Sequence, residues 1–191
     1  DPSAGRIRLQ GTDIGTLSPS AMRPHRGRIQ IVFQDPYRSL NPRRTVGASI
    51  VEGPLNFGVA KAEAWQRARD LLDLVGVDQA AIGRYPHQFS GGQRQRLCIA
   101  RALAMEPEIL IADEAVSALD VSVQAQVLAL LESVRDKFDL AMLFITHDLR
   151  VAAQICDEVL VMQRGQVVEY GPAGDVLANP RHDYTRNLIE A

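Results

Sequence analysis

Apolar residues recur at helical spacing in two long stretches of the chain. The first lies between residues 45 and 86, where one apolar face comprises Ala64, Ala68, Leu71, Leu72 and Val75. The second runs from Asp120 to about Lys137, and its inward residues are Val123, Val127, Leu130, Leu131 and Val134. Residues three and four apart share one face of an α-helix, so both stretches are predicted to be helical. Gly76 is a natural stop for the first.

Short apolar runs predict strands around these helices. They are residues 28–33 (RIQIVF), 109–112 (ILIA) and 140–145 (LAMLFI). We expect the second and third runs to be buried strands, the second on both faces as in a parallel sheet. Residues 157–162 and 166–170 flank a Gln-Arg-Gly turn, which predicts an antiparallel hairpin.

Polar side chains follow the three predicted strands, at the sheet edge where open α/β folds bind ligands. Gln34 ends the first strand, Asp113 and Glu114 the second, and His147 follows the third. An aspartate in this position commonly holds Mg²⁺ in phosphate-transfer sites, and a neighbouring acid can deprotonate water. Taken singly, each of these residues is more often an ordinary polar loop residue.

A hydroxyl and two glycines precede the helix predicted from residue 91. Ser90, Gly91 and Gly92 offer backbone N–H groups and the positive end of the helix dipole to an anion, and Gln93 follows them. A Ser-Gly-Gly sequence alone is most often a flexible turn. Its combination with the Asp-Glu pair, joined by one helix, is much less expected by chance.

Composition narrows the class of protein. A net charge of −2 does not indicate the basic surface of a nucleic-acid-binding protein. No apolar run has the length needed to cross a bilayer. The two cysteines, Cys98 and Cys156, form no C-x-x-C pair. The cysteine pattern is therefore consistent with a protein of a reducing compartment and does not predict a zinc site.

Together these motifs resemble the nucleotide-binding subunit of an ABC transporter over nearly the whole chain. Residues 90–93 (SGGQ) resemble the signature motif, residues 109–113 the Walker B strand, and residues 117–120 (SALD) the D-loop. By the same resemblance, Glu114 stands at the catalytic glutamate, Gln34 at the Q-loop glutamine and His147 at the H-loop histidine.

The resemblance implies a P-loop-NTPase-like α/β core, a mostly parallel sheet with flanking helices. It also implies an inserted helical subdomain. The strand and helix that flank the phosphate loop in this family are expected to be missing from the present chain. The implied parts are residues 1–36, core ending in the Q-loop; 37–88, helical subdomain; 89–170, core with the signature helix, Walker B, D-loop and H-loop; and 171–191, C-terminal tail.

The resemblance also implies roles for these residues, with ATP and Mg²⁺ as cofactors. Gln34 and Asp113 are expected to hold the metal, Glu114 to act as general base, and His147 to position water and the γ-phosphate. Residues 90–93 are expected to bind ATP held by a second ATP-binding subunit, identical or paralogous, with Asp120 at that interface. Other expected partners are membrane permease subunits and, indirectly, an extracytoplasmic solute-binding protein. No nucleic-acid partner is expected.

Two further segments resemble the branch that imports oligopeptides, nickel or glutathione. They are residues 37–43 (YRSLNPR) and 179–185 (NPRHDYT), in which Asp183 stands where that branch usually has proline. The expected activity is ATP hydrolysis that energises import, at the cytoplasmic face of the membrane.

The phosphate loop G-x-x-x-x-G-K-[ST] has no match, since neither Lys61 nor Lys137 lies in a glycine-rich loop. We therefore expect this loop to lie on a preceding segment or another chain, and the present chain alone to be inactive. Two alternatives remain open: a non-catalytic, nucleotide-dependent binding or regulatory module, and an ABC ATPase that does not act in transport.

Overall fold

The computed structural model describes residues 2–190, which form two compact units with their boundary between Leu143 and Phe144. The four-part division at residues 36, 88 and 170 stays a prediction. Among the described residues, no helix combines the length and the apolarity required to cross a membrane.

The first unit alternates short strands with helices. In chain order these are β1 (Arg8–Leu9), β2 (Thr12–Asp13), α1 (Pro19–Arg28), β3 (Ile29–Val32), α2 (Pro36–Ser39), α3 (Val46–Asn56), α4 (Lys61–Leu74), α5 (Gly91–Leu103), β4 (Ile109–Asp113), α6 (Val121–Phe138) and the beginning of β5 (Ala141–Ile145). Two 3-10 helices, Gln79–Gly83 and Pro86–Gln88, connect α4 to α5.

A parallel pair of strands forms the centre of this unit. β3 and β4 are paired in register from Ile29 opposite Ile109 to Val32 opposite Ala112, and β5 lies on the other side of β4. Val32, Leu110 and Ala112 are fully buried, and α5 contacts β3. The parallel sheet predicted from the sequence is confirmed.

The other face of the sheet is more open than the sequence predicts. Ile109 and Ile111 in β4 are only half-buried, and Leu143 in β5 is exposed. The predictions that β4 is buried on both faces and that β5 is a buried strand are therefore wrong. The physical reason is that, within residues 2–190, helical packing covers mainly the face that carries Val32 and Leu110.

The helical region between β3 and β4 follows its predicted apolar pattern. Ala64, Ala68, Leu71 and Leu72 of α4 are all buried, and α4 packs against α3 and α5. Beyond α4, Gly76 has a φ of 71°, a left-handed conformation that glycine adopts without a steric penalty. The predicted stop at Gly76 is confirmed.

The second unit contains the antiparallel hairpin that the sequence predicts. Its elements are the end of β5, α7 (Leu149–Ile155), β6 (Glu158–Gln163), β7 (Gln166–Pro172), α8 (Ala173–Ala178) and α9 (Asp183–Glu190). Arg164 and Gly165 both have positive φ in the turn between β6 and β7, as a type I′ turn requires. Val159 and Val161 of β6 pack with Val176 of α8 in the core of this unit.

We predict that Gly47→Ala destabilises the helical region. A Cβ atom at Gly47 would lie 2.5 Å from the Trp65 ring and 2.6 Å from the Ile82 side chain. Overpacking of this kind typically costs about 1–3 kcal/mol, so the free energy of unfolding of the full-length natural protein should fall. Gly83→Ala is the matched control, because a Cβ atom there meets nothing within 4 Å. Equal stability of both variants in urea titrations would contradict the prediction.

An ion pair joins the starts of β3 and β4. Arg28 donates from Nε to Glu108 Oε1 at 2.6 Å and from Nη2 to Oε2 at 2.7 Å, and Gln10 Nε2 donates to Oε2 at 2.8 Å. The hydrogen bond from Arg28 lowers the pKa of Glu108 below its usual value. Stabilisation from this carboxylate is therefore complete above its unfolded-state pKa and is lost as the pH falls through its folded-state pKa.

Glu108→Gln is accordingly predicted to weaken the acid sensitivity of the fold. The wild type should lose stability between about pH 6 and pH 3 by more than the variant does, since the variant has no carboxylate to protonate at this position. The measurement is the urea midpoint of the full-length natural protein across that range. Glu132→Gln on α6 is the control for the removal of a carboxylate elsewhere in the chain.

Candidate functional site

The predicted metal-binding residues line one cleft at the carboxyl edge of the parallel sheet. Because Val32 pairs with Ala112, Asp113 at the end of β4 and Gln34 just after β3 lie at neighbouring strand ends. Both line a cleft of about 540 Å³ together with Phe33, Asp35, Arg38, Ser39 and Arg101. The position of both residues at the ends of predicted strands predicts this meeting of residues far apart in the chain.

Hydrogen bonds link Gln34 to Glu114 through a third residue, Ser117. Gln34 Nε2 donates to Ser117 Oγ at 3.1 Å. Ser117 Oγ in turn lies 3.0 Å from the carbonyl oxygen of Glu114 and 3.3 Å from its carboxylate Oε2. Sequence reasoning placed Ser117 only at the start of the D-loop and missed this bridge. The available signal was its position three residues after Glu114, the spacing of a tight turn.

The turn after β4 holds Glu114 in an unusual backbone conformation. Glu114 has a φ of 47°, in the left-handed region that non-glycine residues rarely adopt. Ala115 and Val116 are buried beneath the turn, and the Ser117 N–H donates to the Glu114 carbonyl at 3.2 Å. Such strain costs on the order of 1–3 kcal/mol and persists where the surroundings fix the backbone.

Ser90 and Gln93 cap the start of α5 reciprocally. The Gln93 N–H donates to Ser90 Oγ at 3.3 Å, and the Ser90 N–H donates to Gln93 Oε1 at 3.0 Å. This capping box orients the first turn of α5, where the N–H groups of Gly91 and Gly92 have no acceptor within the helix. The signature residues thus form a helix start of the kind that binds anions.

The two glycines of this helix start differ in their surroundings. A Cβ atom at Gly92 would lie 2.4 Å from Cγ1 of Val123 on α6, whereas one at Gly91 would meet nothing within 4 Å. The close packing of α5 on α6 therefore requires glycine at position 92. At Gly91 packing imposes no such requirement.

Polar side chains of α5 contact the segment that follows Gln34. Gln95 is 1% exposed and donates from Nε2 to the Phe33 carbonyl at 3.4 Å. Arg101 Nη1 donates to the Ser39 carbonyl. Both contacts connect the signature helix to the loop on which Gln34 lies.

Arg94 makes a further contact between α5 and this segment. Its guanidinium lies 3.9 Å from the centre of the Tyr37 ring, and its Nε donates to the Pro86 carbonyl at 2.7 Å. The Arg94 side chain is buried, whereas Tyr37 is exposed.

Cys98 lies on the same helix and has a packing role. Burial raises the pKa of its thiol to about 11, so the thiol stays protonated at neutral pH.

Asp120 caps α6 in addition to its predicted place at a subunit interface. Its Oδ1 accepts from the Val123 N–H at 2.9 Å and from the Ser122 hydroxyl at 3.0 Å. The Val123 backbone hydrogen bond, more than the others, lowers the pKa of this carboxyl. An aspartate directly before an apolar helical run is the sequence signal for such a cap.

His147 belongs to the second unit, whereas Gln34, Asp113 and Glu114 belong to the first. It is exposed after β5, in a loop where Asp148 caps α7 by accepting from the Arg150 N–H at 2.9 Å. The predicted meeting of His147 with the other site residues stays a prediction.

The cleft residues fit a magnesium ion that has other ligands besides protein. Gln34 uses its amide nitrogen on Ser117, so its Oε1 is the group suited to a hard cation, as is the carboxylate of Asp113. The described residues contain no group of three or more His, Cys, Asp or Glu side chains that could hold a metal. Mg²⁺ is commonly bound by one or two protein ligands completed by phosphate and water.

Fold and site together define an α/β protein with an acidic and amide-bearing sheet edge, the arrangement of phosphate-handling enzymes. Residues 1–117 match the family model described as ABC transporter. The chain belongs to this family, which confirms the resemblance seen in its motifs.

Individual proteins agree with this assignment. The chain is 50% identical over 192 residues to "Putative peptide import ATP-binding protein" of Brucella ovis, covering all of this chain and 61% of that relative. Its fold is similar to cbiO1 of Clostridium perfringens, described as part of the ABC transporter complex cbiONQ, with a TM-score of 0.84, 29% identity, and coverage of 100% and 78% of the two chains.

A second solved structure is the ATP-binding cassette MJ0796, described as a dimer in a post-hydrolysis state bound to ADP and Pi. Its TM-score is 0.78 and its identity 26%, with coverage of 90% of this chain and 75% of the other. The fold class predicted from the sequence is confirmed. The chain spans about three fifths of the length of the Brucella relative.

We predict different outcomes for alanine at the two signature glycines. Gly92→Ala should lower the unfolding temperature of the full-length natural protein, because its methyl group overlaps Val123. Adding Val123→Ala should recover part of the loss. Gly91→Ala should leave stability unchanged or slightly raised, since alanine favours helix by up to about 1 kcal/mol. Equal losses at both positions in calorimetry would refute the packing explanation.

Proposed function

We propose that the protein containing this chain binds and hydrolyses ATP with Mg²⁺ and so energises ABC-type import of peptides or related small solutes. The observation that supports this most is the hydrogen-bonded set of Gln34, Ser117 and Glu114, which lies at the sheet edge where Asp113 also ends its strand. Family membership and the import function in the Brucella relative's name support the same proposal.

In this proposal Glu114 is the general base. Its carboxylate accepts a proton from the attacking water as the oxygen of that water bonds to the γ-phosphorus. The bond from the γ-phosphorus to the bridging oxygen breaks, and ADP and inorganic phosphate leave. Mg²⁺, held by Gln34 and Asp113 when bound, offsets negative charge on the phosphates. His147 contacts the γ-phosphate and orients the water.

A second ATP-binding subunit, identical or paralogous, completes the site. The helix start at residues 90–93 binds the γ-phosphate of ATP held by that subunit, and Asp120 lies at the interface. The dimeric, ADP-bound state described for MJ0796 supports such an assembly. The 191 residues contain no G-x-x-x-x-G-K-[ST] motif, so in this proposal the loop that holds the β- and γ-phosphates lies on a preceding segment or on another chain.

Import requires partners in the membrane. Permease subunits dock on the helical region between β3 and β4 and place this protein at the cytoplasmic face of the membrane. A solute-binding protein outside acts through those permeases. The transporter complex named for the C. perfringens structure supports an assembly of this kind.

We predict that Glu114→Gln abolishes turnover but preserves binding of Mg-ATP. Glutamine keeps the size and hydrogen bonding of the side chain but cannot accept the proton, so the hydrolysis rate should fall at least about 100-fold. The assay compares phosphate release and equilibrium nucleotide binding in the full-length natural protein. Glu132→Gln is the control. If the wild type binds ATP but does not hydrolyse it, the protein is a non-catalytic regulatory module instead.

A further inference from the structure

Ser117 is the residue through which Gln34 and Glu114 are connected. Gln34 lies in the loop after β3, and Ser117 lies in the turn after β4, 83 residues further along the chain. The hydroxyl of Ser117 is within hydrogen-bonding distance of the Gln34 amide nitrogen and of two oxygens of Glu114. A single exposed hydroxyl therefore joins two loops of the cleft.

The direction of these hydrogen bonds follows from chemistry. The amide nitrogen of Gln34 can only donate, so Ser117 Oγ accepts that hydrogen at 3.1 Å. A serine hydroxyl has one hydrogen, which is then directed at Glu114, shared between the carbonyl at 3.0 Å and Oε2 at 3.3 Å. A hydrogen bond accepted from Gln34 thus leaves the hydroxyl hydrogen for the oxygens of Glu114.

Ser117 contacts the strained backbone of Glu114 through its own N–H as well as through its hydroxyl. Its backbone N–H donates to the Glu114 carbonyl at 3.2 Å. That contact survives replacement of the side chain by alanine, whereas the contacts of the hydroxyl do not. Replacement by alanine therefore removes both hydroxyl contacts with Glu114 and leaves the backbone hydrogen bond in place.

We propose that Ser117 is a positioning residue that makes the orientation of the Glu114 carboxylate depend on Gln34. This inference rests on the proposed function, in which Glu114 is the base and Gln34 a metal ligand. A change in the environment of the Gln34 amide is passed to Glu114 through the hydroxyl. The base is then aligned when the cleft holds its ligand and less well aligned when it does not.

The test compares Ser117→Ala and Ser117→Thr in the full-length natural protein, with thermal unfolding as a check on folding. Ser117→Ala should lower kcat about 10-fold or more and change KM for Mg-ATP less than about twofold, because ground-state binding does not use the hydroxyl. Ser117→Thr should restore kcat to within about threefold of wild type, since it keeps the hydroxyl at an exposed position. Ser133→Ala, an exposed serine on α6, is the control and should match wild type.

A double-mutant cycle with Gln34→Ala separates positioning from a purely structural role. If Ser117 acts with Gln34, the double variant should lose much less activity than the product of the single losses. Multiplicative losses, an unchanged kcat in Ser117→Ala, or failure of Ser117→Thr to recover activity would each overturn the inference. If Glu114→Gln stops hydrolysis while Ser117→Ala does not slow it, only the positioning role fails. If Glu114→Gln hydrolyses ATP normally, the proposed function fails, and the role of Ser117 fails with it.

Discussion

The in-register parallel pairing of β3 with β4 is the constraint on which the site depends. The two strands end within one residue of each other, so the loops that follow them share one edge of the sheet. Gln34 and Asp113 are brought to one cleft by backbone hydrogen bonds formed several residues earlier. The bidentate contact between Arg28 and Glu108 stabilises the opposite ends of the same two strands. A shift of one residue in this register would move every polar group at the edge out of alignment.

Helix α5 connects this edge to the rest of the first unit. One part of its surface is apolar and fully buried, including Leu97 and Ile99. Another part presents Gln95 and Arg101 to carbonyl groups on the segment around Gln34. Its first turn fits closely against α6 at Gly92. The same helix therefore begins at the signature residues and contacts the loop that bears a predicted metal ligand. A displacement of the helix would shift that loop, and a displacement of the loop would shift the helix.

Much of this arrangement could be predicted from the sequence because it depends on local patterns. Apolar periodicity identified α4 and α6, and short apolar runs identified the strands that position Gln34, Asp113 and Glu114. What escaped prediction depends on contacts between distant segments. The requirement for glycine at position 92 comes from Val123 on another helix. The half-buried state of Ile109 and Ile111 depends on which face of the sheet the helices cover, which periodicity does not encode.

The positive φ of Glu114 places two requirements in conflict at one position: a side chain long enough to place a carboxylate at the proposed site, and a residue type that adopts this φ without strain. Glycine or asparagine would relieve the backbone there, but neither supplies a carboxylate, and aspartate supplies one that is a methylene shorter. The residue types that suit the turn are thus those that cannot place an acid at the same distance from the strand. Substitutions of Glu114 that make this turn more stable should therefore be those that remove its carboxylate. Stability of the turn and activity of the proposed base are then opposed at one side chain.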